Sequence, residues 1–190
     1  MDGMSILLDG VCKKIAPYEE TPMSIRKELE GNFPDIVAFT HIHGDHFDRG
    51  YAELYEKETL RSALGPESFV FKNFGVTLTG IPTRHIGKFD IRHISIIIEG
   101  SKTIWFMGDA SPSEWKNKES LKKPDVVIVP FAYANTETAW KITKSLGAET
   151  IILTHMPERE KDSFGIWEAV ESVIGNEKVL IPQIGETVEV

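Results

Sequence analysis

Thr40-His41-Ile42-His43-Gly44-Asp45-His46 follows directly on the apolar run Ile36-Val37-Ala38-Phe39. Four metal-capable side chains fall within six residues there. A buried strand cannot readily hold three imidazoles and a carboxylate, because each unpaired polar group costs a few kcal/mol to desolvate. A strand that ends near Phe39 and opens into a polar loop can aim all four side chains into one small volume. Holding a cation requires that arrangement, so this stretch predicts a strand followed by a ligand-bearing loop.

The pattern around it is similar. Short apolar runs occur at Ile6–Leu8, Ile36–Phe39, Phe69–Phe71, Val76–Leu78, Ile94–Ile98, Thr103–Met107, Val126–Val129, Ile151–Leu153 and Val179–Ile181. Most are rich in β-branched or aromatic residues and bounded by Gly, Pro, Asp or Asn, so they read as strands. Several are apolar throughout, which predicts strands covered on both faces. Amphipathic segments lie between them. Ala139, Ile142 and Leu146 share a face over Thr136 to Leu146, with Gly147 as a stop. Ile166, Val170, Val173 and Ile174 form a stripe over Ser163 to Ile174, with Ser163 as the N-cap and Gly175 as the stop. Asp48 to Ala63 reads as a helix with Tyr51, Leu54 and Tyr55 inward. Ser24 to Glu30 reads as a short helix ending at Gly31. The predicted class is α/β, with sheets packed against helices.

A chain of 190 residues is expected to fold as a single domain, residues 1–190, with a sizeable core. Its 41% hydrophobic and 26% charged residues are those of an ordinary globular protein. The net charge of −8 argues against nucleic acid as a partner. Cys12 is the only cysteine, which excludes a disulfide framework and a cysteine zinc ribbon and fits a reducing cytoplasm. No apolar run approaches the roughly 18 residues of a membrane span. Met1-Asp2-Gly3-Met4 has none of the features of a signal peptide.

Of the six histidines, five lie just beyond a predicted strand. His41, His43 and His46 follow the Ile36–Phe39 run, His85 follows Ile81-Pro82-Thr83-Arg84, and His155 follows Ile151-Ile152-Leu153-Thr154. Asp109 has the same placement after Trp105-Phe106-Met107-Gly108. In α/β proteins, ligands collect at the carboxyl ends of strands. Imidazole nitrogen with carboxylate oxygen suits zinc, and also iron or manganese. Five histidines with Asp45 and Asp109 exceed what one tetrahedral structural site needs, and are enough for two ions that can activate water. A (β/α)8 amidohydrolase also opens with His-x-His after a strand, but needs about 250 residues.

These motifs resemble the metallo-β-lactamase superfamily of metal-dependent hydrolases, whose signature is His-x-His-x-Asp-His, a distant His, an Asp after a strand, and a last His. Here they read His41-x-His43-x-Asp45-His46, His85, Asp109 and His155. The chain looks most similar to small members related to L-ascorbate-6-phosphate lactonase. The resemblance implies a four-layer αββα sandwich of mixed sheets flanked by helices, with the site at one edge. It implies one ion on His41, His43 and His85, a second on Asp45, His46 and His155, and Asp109 between them. The implied nucleophile is a metal-bound hydroxide, with Asp45 as a proton shuttle. The chain departs from the pattern at its start: the segment ending in an aspartate, Ile6-Leu7-Leu8-Asp9, comes very early, so the N-terminal strand region looks shortened. The sheet edge this would leave open predicts a homo-oligomer. No cysteine stands at a metal position.

The remaining candidates are less specific. Asp9 can hydrogen-bond a ligating histidine from behind. Arg84 can bind an anionic substrate group or form a surface ion pair. Tyr133 and Asn135 can polarise a substrate oxygen, and Asn135 can equally cap the next helix. His93, at the start of the Ile94–Ile98 run, reads as structural. Cys12 reads as a small buried residue, and Trp105, Trp140 and Trp167 as core. The expected function is binuclear, metal-dependent hydrolysis of a small-molecule ester, lactone, amide or phosphoester, with two divalent ions, zinc first and manganese or iron as alternatives. An iron-dependent redox enzyme and a non-catalytic metal-stabilised module are the competing readings.

Overall fold

The computed structural model describes residues 3–73, 75–87, 90–115 and 121–190. Among the described residues, eight strands and four α-helices follow one another as β1 (Ile6–Leu8), α1 (Met23–Gly31), β2 (Ile36–Ala38), α2 (Arg49–Thr59), β3 (Phe69–Asn73), β4 (Val76–Pro82), β5 (Ile94–Glu99), β6 (Thr103–Phe106), β7 (Val126–Pro130), α3 (Glu137–Ser145), β8 (Thr150–Thr154) and α4 (Ile166–Ile174). β1 and β2 pair in parallel as a small sheet. β3 to β8 form a mixed sheet in sequence order, antiparallel from β3 to β6 and parallel from β6 to β8.

The alternation of side chains along each strand sorts them into three layers of core. Ile36 and Ala38 of β2 meet Leu78, Ile94, Ile96, Ile98 and Phe106 of the large sheet, and this is the seam between the sheets. Val37 and Phe39 point the other way, onto Tyr51, Ala52 and Tyr55 of α2 and Leu29 of α1. Ile97, Trp105, Val127, Val129 and Leu153 leave the opposite face of the large sheet and pack on Trp140 of α3 and on Ile166 and Val170 of α4. The order is therefore helix, sheet, sheet, helix, the four-layer αββα sandwich. The apolar-throughout runs are the doubly covered strands: every residue of β2, and all of β5 but its last, is buried.

Local chemistry sets the helix starts. The Asp48 carboxylate accepts from Tyr51 N at 2.8 Å and caps α2, so that helix begins three residues after His46. Thr136 Oγ1 accepts from Ala139 N at 3.2 Å and caps α3, so Thr136 rather than Asn135 is the cap. Two sequence readings are corrected. Helix α4 begins at Ile166, not Ser163: Gly165 takes a left-handed φ, and the Asp162 carboxylate accepts from Trp167 N and Phe164 N, so Asp162 does the capping expected of Ser163. Val179–Ile181 is not a strand. Leu180 makes one bridge beside Ile152, and Pro182 then supplies no N–H to extend it.

The topology brings particular ends together. β4 and β6 run parallel to each other with β5 antiparallel between them, so both end where β5 begins. The Ile94 N–H, at that start, donates across to Thr40 O at 3.0 Å, at the end of β2. Gly108 lies at the same edge with φ +52, and a Cβ there would sit 2.6 Å from Thr40 Oγ1. Only glycine fits this approach of the two sheets without displacing Thr40. Gly108→Ala should destabilise the protein by about 1–3 kcal/mol through overpacking and strain. Urea denaturation checks this, and a midpoint equal to wild type would contradict it.

Candidate metal centre

All seven residues expected as ligands converge at this edge. Three groups have ligand atoms within 4.8 Å of one another: the triads His41, His43 and His85, and Asp45, His46 and His155, and a third, Asp9, His41 and His46, that joins them. In the first, His41 Nε2 and His43 Nδ1 are 3.1 Å apart. In the second, His46 Nε2 and His155 Nε2 are 2.9 Å apart. The Asp109 carboxylate lies between the two triads, with Oδ2 3.6 Å from His85 Nε2 and 3.5 Å from His46 Nε2, and Oδ1 3.8 Å from His155 Nε2. Asp45 Oδ2 is 3.5 Å from His155 Nε2.

Three rings are oriented from behind. Asp9, just after β1, accepts from Thr40 N at 2.7 Å, from Thr40 Oγ1 at 2.6 Å and from His46 Nδ1 at 2.9 Å. Because Thr40 gives its hydroxyl proton to Asp9, His41 Nδ1–H must donate to Thr40 Oγ1, 3.0 Å away. His85 Nδ1–H donates to Ile86 O at 2.6 Å. Each of these rings is left presenting Nε2 inward, the arrangement that metal-binding histidines need. Asp9 and His155 are two of the three non-glycine residues with left-handed φ among the described residues, at 47° and 60°. Such conformations persist where the surroundings enforce them, and they cluster at functional sites.

His93 is absent from all three groups and contributes in another way. Asp109 N–H donates to His93 Nε2 at 3.0 Å, and His93 Nδ1–H donates to Thr83 Oγ1 at 2.8 Å. Thr83 Oγ1 in turn lies 3.2 Å from Ser95 Oγ, which donates to Met107 O at 2.9 Å. The chain of donors fixes one tautomer of His93 and pins the backbone at Asp109. Burial pushes the His93 pKa down to about 3, so the ring stays neutral.

Electrostatics divide the remaining groups. Burial, then the neighbouring His46, lowers the His41 pKa to about 2, and burial also lowers that of His43. Burial opposes charge on His46 too, but hydrogen bonds with Asp109 and Asp9 prevail and raise its pKa to about 10. Burial works against an ionised Asp109, yet bonding with His46 and the charge of His155 hold its carboxyl well below the usual range. Asp45 is likewise held low, against burial, by His155 and His46. Without metal, a proton on His46 therefore does the work of a cation among carboxylates and lone pairs. Five inward imidazoles with two ionised carboxylates are a donor set for borderline divalent ions, so the residues fit a metal centre.

The other candidates lie apart from the cavity that borders Asp45, His46 and His155. Arg84 is exposed, donates to Ser113 Oγ at 3.1 Å and faces Glu114 at 3.5 Å, on the far side of His85. Tyr133 is fully buried within the helix-side core, where burial pushes its phenol up. Asn135 is half-buried on the turn into α3. Tyr18, which sequence reasoning passed over, stands at the site instead. Its ring meets His155 edge-on with centroids 4.1 Å apart. Burial and the facing carboxylates of Asp109 and Asp45 push its phenol up, which keeps it a proton donor. Nothing in the Ala16-Pro17-Tyr18-Glu19-Glu20 context distinguishes this tyrosine from a surface one.

No family model and no curated protein matches the chain. Solved structures do. An isothiocyanate hydrolase from Delia radicum gut bacteria matches with TM-score 0.63 and 18% identity, over 100% of this chain and 94% of its own. Igni18, a metallo hydrolase from Ignicoccus hospitalis KIN4/I, matches with TM-score 0.63 and 22% identity, over 99% and 91%. The metallo-β-lactamase fold protein YhfI from Bacillus subtilis matches with TM-score 0.55 and 16% identity, over 95% of each. The chain thus has the metallo-β-lactamase fold, and at that fold's strand ends it carries His/Asp clusters that can hold divalent metal. No described helix is long and apolar enough to cross a membrane.

Two outcomes follow for this centre. His93→Phe removes the acceptor for Asp109 N–H and should weaken zinc binding by about 10–100-fold in chelator competition; unchanged affinity would contradict the positioning role. Loading the metal-free protein at pH 8 should release at least one proton per chain, because His46 is charged below about pH 10 and must be neutral to ligate. Calorimetry in buffers of different ionisation enthalpy reads that number, and the contribution of His46 should vanish as the pH is raised through about 10. Loading without proton release at pH 8 would contradict the charged state assigned to His46.

Proposed function

We propose that this protein is a binuclear metal-dependent hydrolase. One ion is assigned to His41, His43 and His85, the other to Asp45, His46 and His155, with Asp109 as their shared ligand. The observation that carries this is the placement of Asp109: one carboxylate lies within 3.8 Å of a ring nitrogen of His85, His46 and His155, and so reaches both triads. Zinc is the first expectation for this donor set, with manganese or iron as alternatives. Bound divalent ions at such a site lower the pKa of water from about 16 to about 7 and polarise a substrate carbonyl or phosphoryl oxygen.

The chain's own residues do the rest. Asp9 and Thr40 hold His41 and His46 in the ligating tautomer. His93 holds the backbone at Asp109. Asp45, low in pKa and lining the cavity, is placed to take up a proton from the attacking water and pass it to the leaving group. The isothiocyanate hydrolase and the metallo hydrolase among the structural neighbours support hydrolysis as the reaction type. Cys12 lines the same cavity, with its thiol against Thr21 Oγ1 and Glu19 O.

Asp109→Ala tests the assignment. Losing a partner behind a ligand costs 10–100-fold, so losing a shared ligand should cost at least about a hundredfold in turnover of esters or lactones, with one or both ions lost by elemental analysis. Two ions per chain and full turnover in the variant would refute it.

A further inference from the structure

A cavity of about 360 Å³ opens from Asp45, His46 and His155, within the range of small-molecule sites. It runs between the end of β1 and the large sheet, and its walls beyond the ligands are mainly apolar: Leu8, Ile25 of α1, Phe106 and Ile184, with the Tyr18 ring at the junction with the ligands. The C-terminal segment closes one side. It leaves β8 at Leu180 and brings Ile184 and Gly185 over to α1, where a Cβ on Gly185 would sit 3.8 Å from Ile25 Cδ1. Residues 10–22 close another side, held by Lys13 N–H donating to Gly44 O at 2.7 Å, by Thr21 bonded to Cys12, and by the Lys161–Glu19 ion pair at 3.0 Å.

Beyond the ligands the charged side chains on the cavity wall are carboxylates, of which Glu19 is ion-paired with Lys14 at 2.9 Å and with Lys161 at 3.0 Å. Glu19 and Glu20 line the cavity, and no lysine or arginine does so among the described residues. Arg84, the cation expected to bind an anionic group, belongs to a separate concavity beyond His85. A phosphate or carboxylate carried on the far part of a substrate would give up its hydration here beside Glu20, with Lys14 and Lys161 already paired with Glu19. An alkyl group would exchange water for Leu8, Ile25, Phe106 and Ile184.

We propose that this cavity receives the acyl group of an uncharged carboxylic ester or lactone, an apolar chain of several carbons, and discriminates against phosphorylated or carboxylated substrates. The proposal rests on the hydrolase reading for its chemistry: the oxygen of water bonds to the acyl carbon, the acyl–oxygen bond breaks, one proton of water goes to the leaving alkoxide, and the carboxylic acid formed ionises. Tyr18, a phenol donor at the junction, is positioned to hydrogen-bond the substrate oxygen.

Two measurements on the zinc-loaded protein separate the pocket from the reaction. The first is calorimetric binding of acetohydroxamic acid, hexanohydroxamic acid and the six-carbon hydroxamate that ends in a carboxylate. The second is kcat/KM for nitrophenyl acetate, butyrate and hexanoate against nitrophenyl phosphate. The hexanoyl hydroxamate should bind at least about tenfold tighter than the acetyl one, since each buried methylene contributes, and the terminal carboxylate should abolish that gain. Ile184→Lys, on an exposed position that tolerates change, and Ile25→Ser should both flatten the series. A chain-length gain without ester turnover would uphold the pocket and defeat the hydrolase reading. Affinities independent of chain length, or a carboxylate-ended ligand that binds as well as the alkyl one, would overturn the pocket, whether or not esters are cleaved.

Discussion

The Asp9 carboxylate is the tie on which the metal centre depends. It sits at the end of β1 and accepts three hydrogen bonds, two from Thr40 at the end of β2 and one from His46 in the loop beyond. One side chain thereby aligns the ends of two parallel strands, orients His46 directly and orients His41 through the Thr40 hydroxyl. The left-handed φ of Asp9 is the local cost of aiming it there. A carboxylate with all its bonds satisfied is tolerable in such a buried place, whereas an uncompensated one would not be. The close approach of Gly108 to Thr40 extends the tie to the second sheet, because any larger residue at 108 would push on the hydroxyl that passes proton order from Asp9 to His41.

The rest of the centre follows from strand direction. β2, β4, β6 and β8 all end at this edge, and each delivers candidate ligands in the loop beyond. β5 runs the other way and begins there, so its first flanking residue, His93, reaches the same region from a strand start. This explains why His93 looks like the other histidines in composition yet takes a different role: its hydrogen bonds go to the backbone of Asp109 and to Thr83, not to the ligand atoms.

Much of this was legible from pattern alone. The apolar runs at Ile36–Phe39, Ile94–Ile98 and Thr103–Met107 announced doubly covered strands because their residues alternate between two hydrophobic layers, and the structure has both layers. The convergence of the seven candidates was legible because polar, metal-capable side chains directly after such runs have few other stable places to go. What escaped reading depends partly on contacts distant in sequence and partly on single residues beside the segment. Tyr18 lies in a polar loop and acquires its place only when residues 10–22 fold against His155. Tyr133 looked like a site residue because it follows β7, but the turn after β7 carries it into the helix-side core. Val179–Ile181 has strand composition but only one bridge, since Pro182 ends the pairing. The cap on α4 fell to Asp162 because a left-handed Gly165 lets a residue further back reach the first turn.

We propose two cations held by two triads that share one carboxylate. Anomalous diffraction at the zinc edge, from crystals grown with zinc, tests it most directly. Two peaks are expected, one among His41, His43 and His85 and one among Asp45, His46 and His155, each within bonding distance of Asp109. A single peak at full occupancy, or a peak pair in which Asp109 touches neither ion, would contradict it.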